Sequence, residues 1–82
     1  LDDESDYVVG SIIAVNLEGD KFAVTIDKAK GYYESEVGNQ AGFGVEDFTV
    51  VETEIAMENK VKVTYDEING RISATRIEKY SD

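Results

Sequence analysis

No cysteine, histidine, proline or tryptophan occurs among the 82 residues, and Met57 is the sole methionine. Without cysteine there can be no disulfide, thiolate metal site, redox dithiol or cysteine nucleophile. Without histidine the commonest general base and the commonest transition-metal ligand are both missing. The five serines (Ser5, Ser11, Ser35, Ser73 and Ser81) therefore have no histidine to activate them, and no Ser–Lys motif is recognisable. Carboxylates are plentiful, but glycoside hydrolysis needs two of them held across a substrate cleft, and a chain this short has little room for one. These absences point to a non-catalytic role. They also leave apolar packing and a well-paired sheet as the sources of stability, at a size where one core is only just sufficient.

Basic residues are scarce as well, 8 against 18 acids, for a net charge of −10. The acids are unevenly spread. Asp2, Asp3, Glu4 and Asp6 make residues 1–6 a polar lead-in that is expected to be disordered. Residues 31–59 hold Glu34, Glu36, Glu46, Asp47, Glu52, Glu54 and Glu58 and no lysine or arginine. Such a surface repels phosphates and anionic lipid and favours cations or a basic protein face. The chain starts at Leu1 without an initiator methionine, and the expectation is a piece of a longer precursor. No signal peptide or membrane-spanning run occurs in it.

The apolar pattern is that of a β protein. Tyr7–Leu17 is rich in β-branched residues, with Gly10 placed for a bend or bulge. Glu18-Gly19-Asp20 supplies a turn, and Lys21–Lys28 then alternates with Phe22, Val24 and Ile26 inward. Phe48–Ile55 reads as strand rather than helix because of its threonines, valines and isoleucine, and a turn follows near Met57-Glu58-Asn59. Val61, Val63 and Tyr65 alternate inward, and Asn69-Gly70 is a strong type I′ hairpin turn. In the last strand the step of three from Ala74 to Ile77 suggests a bulge. Five strands and short connections imply an all-β fold over residues 7–80, a small five-stranded OB-like barrel. Between its second and third strands lies a long glycine-rich loop, 29–47, without a clean period of two.

Several resemblances bear on this reading. Val8-Gly10-Ile12, Asp20 with Val24, and Val61, Val63, Gly70, Ala74 and Ile77 resemble the pattern of small bacterial extracytoplasmic OB-like domains of unknown function. That likeness implies a location outside the cytoplasm, as a secreted or lipid-anchored protein; a cytoplasmic domain is the alternative. The chain departs from the pattern at Glu58-Asn59, where a glycine-aspartate turn is usual. The layout is also similar to the small periplasmic copper chaperones, whose soft-metal site uses histidine and methionine with an aromatic; Met57 alone does not support that chemistry. Finally, Gly42, Phe43, Gly44 and Phe48 resemble an RNA-binding aromatic motif. Ala41 and Glu46 remove its charge, and nucleic-acid binding is disfavoured.

The candidate contact surface is accordingly Tyr32, Tyr33, Glu34, Glu36, Phe43, Glu46 and Asp47, an acidic-aromatic segment suited to a protein partner with a basic face. For Phe43 a structural role in covering the barrel is favoured, and one of the adjacent tyrosines should point outward. Two other functions compete. One is an acidic mimic of nucleic acid that occupies a basic partner. The other is a weak calcium-binding domain drawing on Glu34, Glu36, Glu46, Asp47, Glu52 and Glu54. No cofactor is expected.

Overall fold

The computed structural model describes residues 6–80. Five strands, β1 (Asp6–Val15), β2 (Lys21–Lys30), β3 (Gln40–Val51), β4 (Lys60–Ile68) and β5 (Arg71–Lys79), close a barrel in the order β1-β2-β3-β5-β4. Every neighbouring pair is antiparallel except β3 with β5. The expected five-stranded OB-like barrel is therefore present. The acidic lead-in falls outside the described residues except for Asp6, which already belongs to β1 and pairs with Tyr65. No helix among the described residues is long and apolar enough to cross a membrane.

Closure depends on β1, which pairs with β2 along one edge and with β4 along the other. Its register on β2 shifts between Val9 and Gly10 and again between Ile12 and Ala14, so the strand bends where the glycine was expected to allow it. A Cβ on Gly10 would lie 1.7 Å from the Thr25 carbonyl oxygen, so only glycine permits this approach. The alternating residues expected inside (Phe22, Val24 and Ile26 of β2; Val61, Val63 and Tyr65 of β4) are all buried. Val8, Ile12, Ala41, Phe43, Ala74 and Ile77 complete the core with them. On β5, Thr75 is the extra residue where Tyr65 opposes Ala74 and Thr64 opposes Arg76. That is the expected bulge, and it lets both Ala74 and Ile77 face inward.

The connections follow local chemistry. Asn69 (φ 55°) and Gly70 (φ 78°) make the β4–β5 turn. Between β1 and β2, the Asn16 side-chain oxygen accepts hydrogen bonds from the backbone N–H groups of Asp20 and Lys21, and Gly19 takes φ 76°. The segment 29–47 differs from expectation. Ala29 and Lys30 finish β2, and β3 begins at Gln40, so the loop proper is only residues 31–39. Ala41 and Phe43 do alternate inward, but Gly42 and Gly44 leave the outer positions without side chains, which hides the period. β3 ends at Val51, short of the expected Ile55, and 52–59 is an irregular connection.

That connection is tied to β1: the Glu58 N–H donates to the Ile12 carbonyl at 2.7 Å and the Ile12 N–H to the Asn59 carbonyl at 3.0 Å. The pinning holds Glu58 at φ 73°, a left-handed conformation that glycine adopts without penalty. Glu58 thus occupies, in the left-handed region, the turn where a glycine-aspartate pair is usual. Glu58→Gly should raise stability by about 1 kcal/mol in chemical denaturation, whereas Glu58→Ala should give no such gain. Gly10→Ala should lower it by about 3 kcal/mol, because the added methyl meets backbone that cannot move aside.

Candidate functional site

One end of the barrel carries a row of aromatic rings. Phe43 of β3 packs on Phe22 at 5.8 Å between centroids, on Tyr65 of β4 at 5.5 Å and on Tyr33 at 5.7 Å. Tyr33 also meets Tyr65 at 5.4 Å and, edge to face, Tyr32 at 5.0 Å. The row thus runs from the core outward and ends on Tyr32, which is 70% exposed. Rings at these separations favour edge and tilted packing, so Tyr32 is held by its neighbour rather than projecting alone.

The loop that presents Tyr32 is braced at both ends. The Gly31 N–H donates to the Glu34 carboxylate at 3.2 Å, and the Glu34 N–H donates back to the Gly31 carbonyl at 2.9 Å. Glu34–Glu36 form a single 3-10 turn. Gly38 and Ile26 then connect: the Gly38 N–H donates to the Ile26 carbonyl, and the Ile26 N–H to the Asn39 carbonyl, both at 2.8 Å. Gly31 sits at φ 93° with the Asp6 carboxylate against it; a Cβ there would fall 2.1 Å from the carboxyl carbon. The start of β1 and the start of the loop are therefore in direct contact.

This contact walls a cleft of about 430 Å³ lined by Asp6, Tyr32, Tyr65, Asp66, Glu67, Gly70 and Ile72. Each element supplies its part through the β1–β4 register, in which Asp6 stands opposite Tyr65 with Asp66 and Glu67 next along the strand. The result is an apolar and aromatic surface with three carboxylates around it. Two phenols beneath it resist ionisation. Burial raises the pKa of Tyr33, helped by the neighbouring Tyr32 and by Glu36. Burial also raises that of Tyr65; backbone hydrogen bonding from Tyr33 and Tyr32 opposes the shift, and the charge of Asp6 adds to it. The Tyr65 hydroxyl donates to the Lys30 carbonyl at 3.4 Å. Both rings thus stay neutral near neutral pH, so the negative charge belongs to the carboxylates.

The residues expected to form one surface divide into three groups. Tyr32, Tyr33, Glu34 and Glu36 share the loop beside the cleft. Phe43 is 3% exposed and supports Tyr33 from inside, so it cannot touch a partner; its position also removes the ring that an RNA-binding motif would stack on a base. Glu46 is engaged by β5, with Arg71 at 2.9 Å and the Ser73 hydroxyl at 3.3 Å. Asp47 lies exposed one residue further along β3. Asp6, Asp66 and Glu67 were not singled out as site residues, because only the pairing of β1 with β4 brings them together.

Among the described residues, no group of three or more acids converges closely enough to hold a metal ion. Of the six acids weighed for calcium, Glu46 is paired with Arg71 and Glu52 with Arg76 at 3.1 Å. Met57 is exposed in the β3–β4 connection. Soft-metal coordination therefore has a single thioether and no imidazole or thiolate to draw on.

No protein-family model and no curated protein sequence matches the chain. Solved structures do match it in fold. Apo-CusF from Escherichia coli superposes with a TM-score of 0.75 at 16% identity, over 92% of this chain and 86% of that one. A Cu(II)-bound tryptophan-to-alanine variant of the same protein gives 0.70 at 15% identity, over 94% of both chains. Ag(I)-bound CusF gives 0.73 at 16% identity, over 90% and 95%. At this identity the likeness concerns the fold alone: the chain is a closed five-stranded barrel similar in architecture to CusF.

Proposed function

We propose that this barrel is a non-catalytic binding module acting outside the cytoplasm, and that it receives a basic segment of a protein partner in the cleft beside Tyr32. The observation that carries the reading is the cleft itself, with an exposed tyrosine on one wall and Asp6, Asp66 and Glu67 around it. A lysine or arginine side chain offers what this lining lacks. Its stem covers Ile72 and the tyrosine rings, its charge meets the carboxylates, and cation–π attraction to Tyr32 adds about 0.5–1 kcal/mol at an exposed site. Carboxylates that share a cleft without converging suit cations spaced along a chain better than a point ion. Glu34 and Glu36 extend the same field onto the loop. Two of the fold neighbours are described with Cu(II) and Ag(I), whereas the extracytoplasmic placement rests on the resemblance of Val8-Gly10-Ile12 and the closing strands to small extracytoplasmic barrels. The metal is not carried over, since the Met57 thioether is the one soft donor in this chain.

Binding of a fluorescent peptide of alternating lysine and alanine tests the proposal. The native protein should bind it with an affinity that falls steeply as salt is raised. Tyr32→Ala combined with Glu67→Gln should weaken binding roughly tenfold with the fold intact by circular dichroism. Equal binding by native protein and variant would sink the cleft as the site. In a separate thermal-shift experiment, Ag(I) and Ca²⁺ should leave the melting temperature unchanged; a rise saturating at low metal concentration would restore the metal reading.

A further inference from the structure

A second surface carries the opposite charge. On β1, Val8, Gly10 and Ile12 are buried, and Tyr7, Val9 and Ser11 alternate with them on the outside of the barrel. The registers then order the outer face in rows. Lys30, Tyr7, Thr64 and Arg76 form one row across β2, β1, β4 and β5. Lys28, Val9, Lys62 and Glu78 form the next, and Ser11 opposes Lys60 in a third. Side-chain contacts knit the rows together. Lys62 lies over the Tyr7 ring at 4.8 Å, Lys28 and Lys60 lie over Tyr80 at 5.7 and 5.6 Å, and the Lys28 ammonium donates to the Tyr80 hydroxyl at 3.3 Å. Five of the chain's eight basic residues, Lys28, Lys30, Lys60, Lys62 and Arg76, thus stand on one face of a protein whose net charge is −10.

Part of this arrangement has a purely structural use. Val9 is 2% exposed although it lies outside the core cluster, and its neighbours across the strands are Lys28 and Lys62. Lysine stems make a good roof for an apolar residue. Yet roofing one valine needs two stems, whereas five cations are gathered here with few acids among them. Asp27 pairs with Lys60 at 3.7 Å, Glu52 with Arg76, and Glu78 stands beside Lys62.

We infer that this outer face of β2, β1, β4 and β5 docks a short acidic segment of a protein, independently of the cleft at Tyr32. Charge complementarity sets the sign of the partner, and three features set its kind. The rings of Tyr7 and Tyr80 already carry ammonium groups, so they do not offer the bare stacking platforms that single-stranded nucleic acid requires. Val9, the apolar residue at the centre, is buried and cannot enter a bilayer. A long polyanion or an anionic membrane would also extend beyond the basic face onto the strongly acidic remainder of the surface, where like charge repels it. A few carboxylates on a short segment fit within it. Rows about 7 Å apart along strands about 5 Å apart give lysines a spacing that carboxylates of an extended peptide match.

Fluorescence anisotropy with a labelled peptide of alternating aspartate and serine tests this. The native protein should bind it at low salt, Lys28→Glu with Lys62→Glu should weaken binding roughly tenfold or more, and Tyr32→Ala should leave it unchanged. Lys28→Met with Lys62→Met keeps an apolar stem of similar length over Val9 and Tyr7 without the charge, so it separates lost charge from lost folding; about threefold weaker binding is expected with native circular dichroism. The inference is overturned if the peptide does not bind, or if both double variants bind it like the native protein. It is equally overturned if oligothymidine or phosphatidylglycerol vesicles are held as tightly as the peptide, or if the substitutions abolish self-association seen by sedimentation.

Discussion

Everything described here depends on β1 being shared between β2 and β4. The two ladders close the barrel, and they require β1 to bend at Gly10, where the Thr25 carbonyl approaches too closely for any side chain. Closure places Val8 and Ile12 in the core and sends Tyr7 and Val9 outside. It also brings Asp6 opposite Tyr65 at one end, and Lys28 and Lys62 to either side of Val9 on the outer wall. The acidic-aromatic cleft and the basic face are consequences of one strand's two partners. A change that loosened β1 would disturb both surfaces together.

The net charge conceals this segregation. Coulomb interactions between exposed charges fade beyond about 10 Å at ordinary ionic strength, so a partner feels the local face rather than the sum over the molecule. The cleft has three carboxylates from two strands, β1 and β4, and the outer wall has cations from three strands. That geometry suits a module that meets partners of opposite sign on different sides. It sits poorly with a mimic of nucleic acid, which would have to show carboxylates in rows where this barrel shows lysines.

How much of this could be read from the sequence depended on the range of the interactions. Phe22, Val24 and Ile26, Val61, Val63 and Tyr65, and the Asn69-Gly70 turn were legible because strand alternation and turn chemistry are local. The bulge between Ala74 and Ile77 was legible for the same reason. The start of β3 was not, because Gly42 and Gly44 stand where outward side chains would have marked the alternation. That one of the adjacent tyrosines would face outward was legible, though not that it is Tyr32; Phe43 was open to both a covering and a contact role and lies in the core, and Asp6, Asp66 and Glu67 had only non-local pairing to unite them. Glu58 in a left-handed turn shows the reverse case: a local departure from a family-like pattern pointed to a real backbone constraint.

Contact with a basic segment at the Tyr32 cleft is the proposal on which the functional reading rests. Backbone amide chemical shifts recorded during titration with the lysine–alanine peptide would test it residue by residue. The largest changes are expected at Tyr32, Tyr33, Asp66, Glu67 and Gly70, with Lys28, Val9 and Lys62 undisturbed. Changes spread evenly over the acidic residues, or centred on β3 at Asp47 and Phe48, would contradict it.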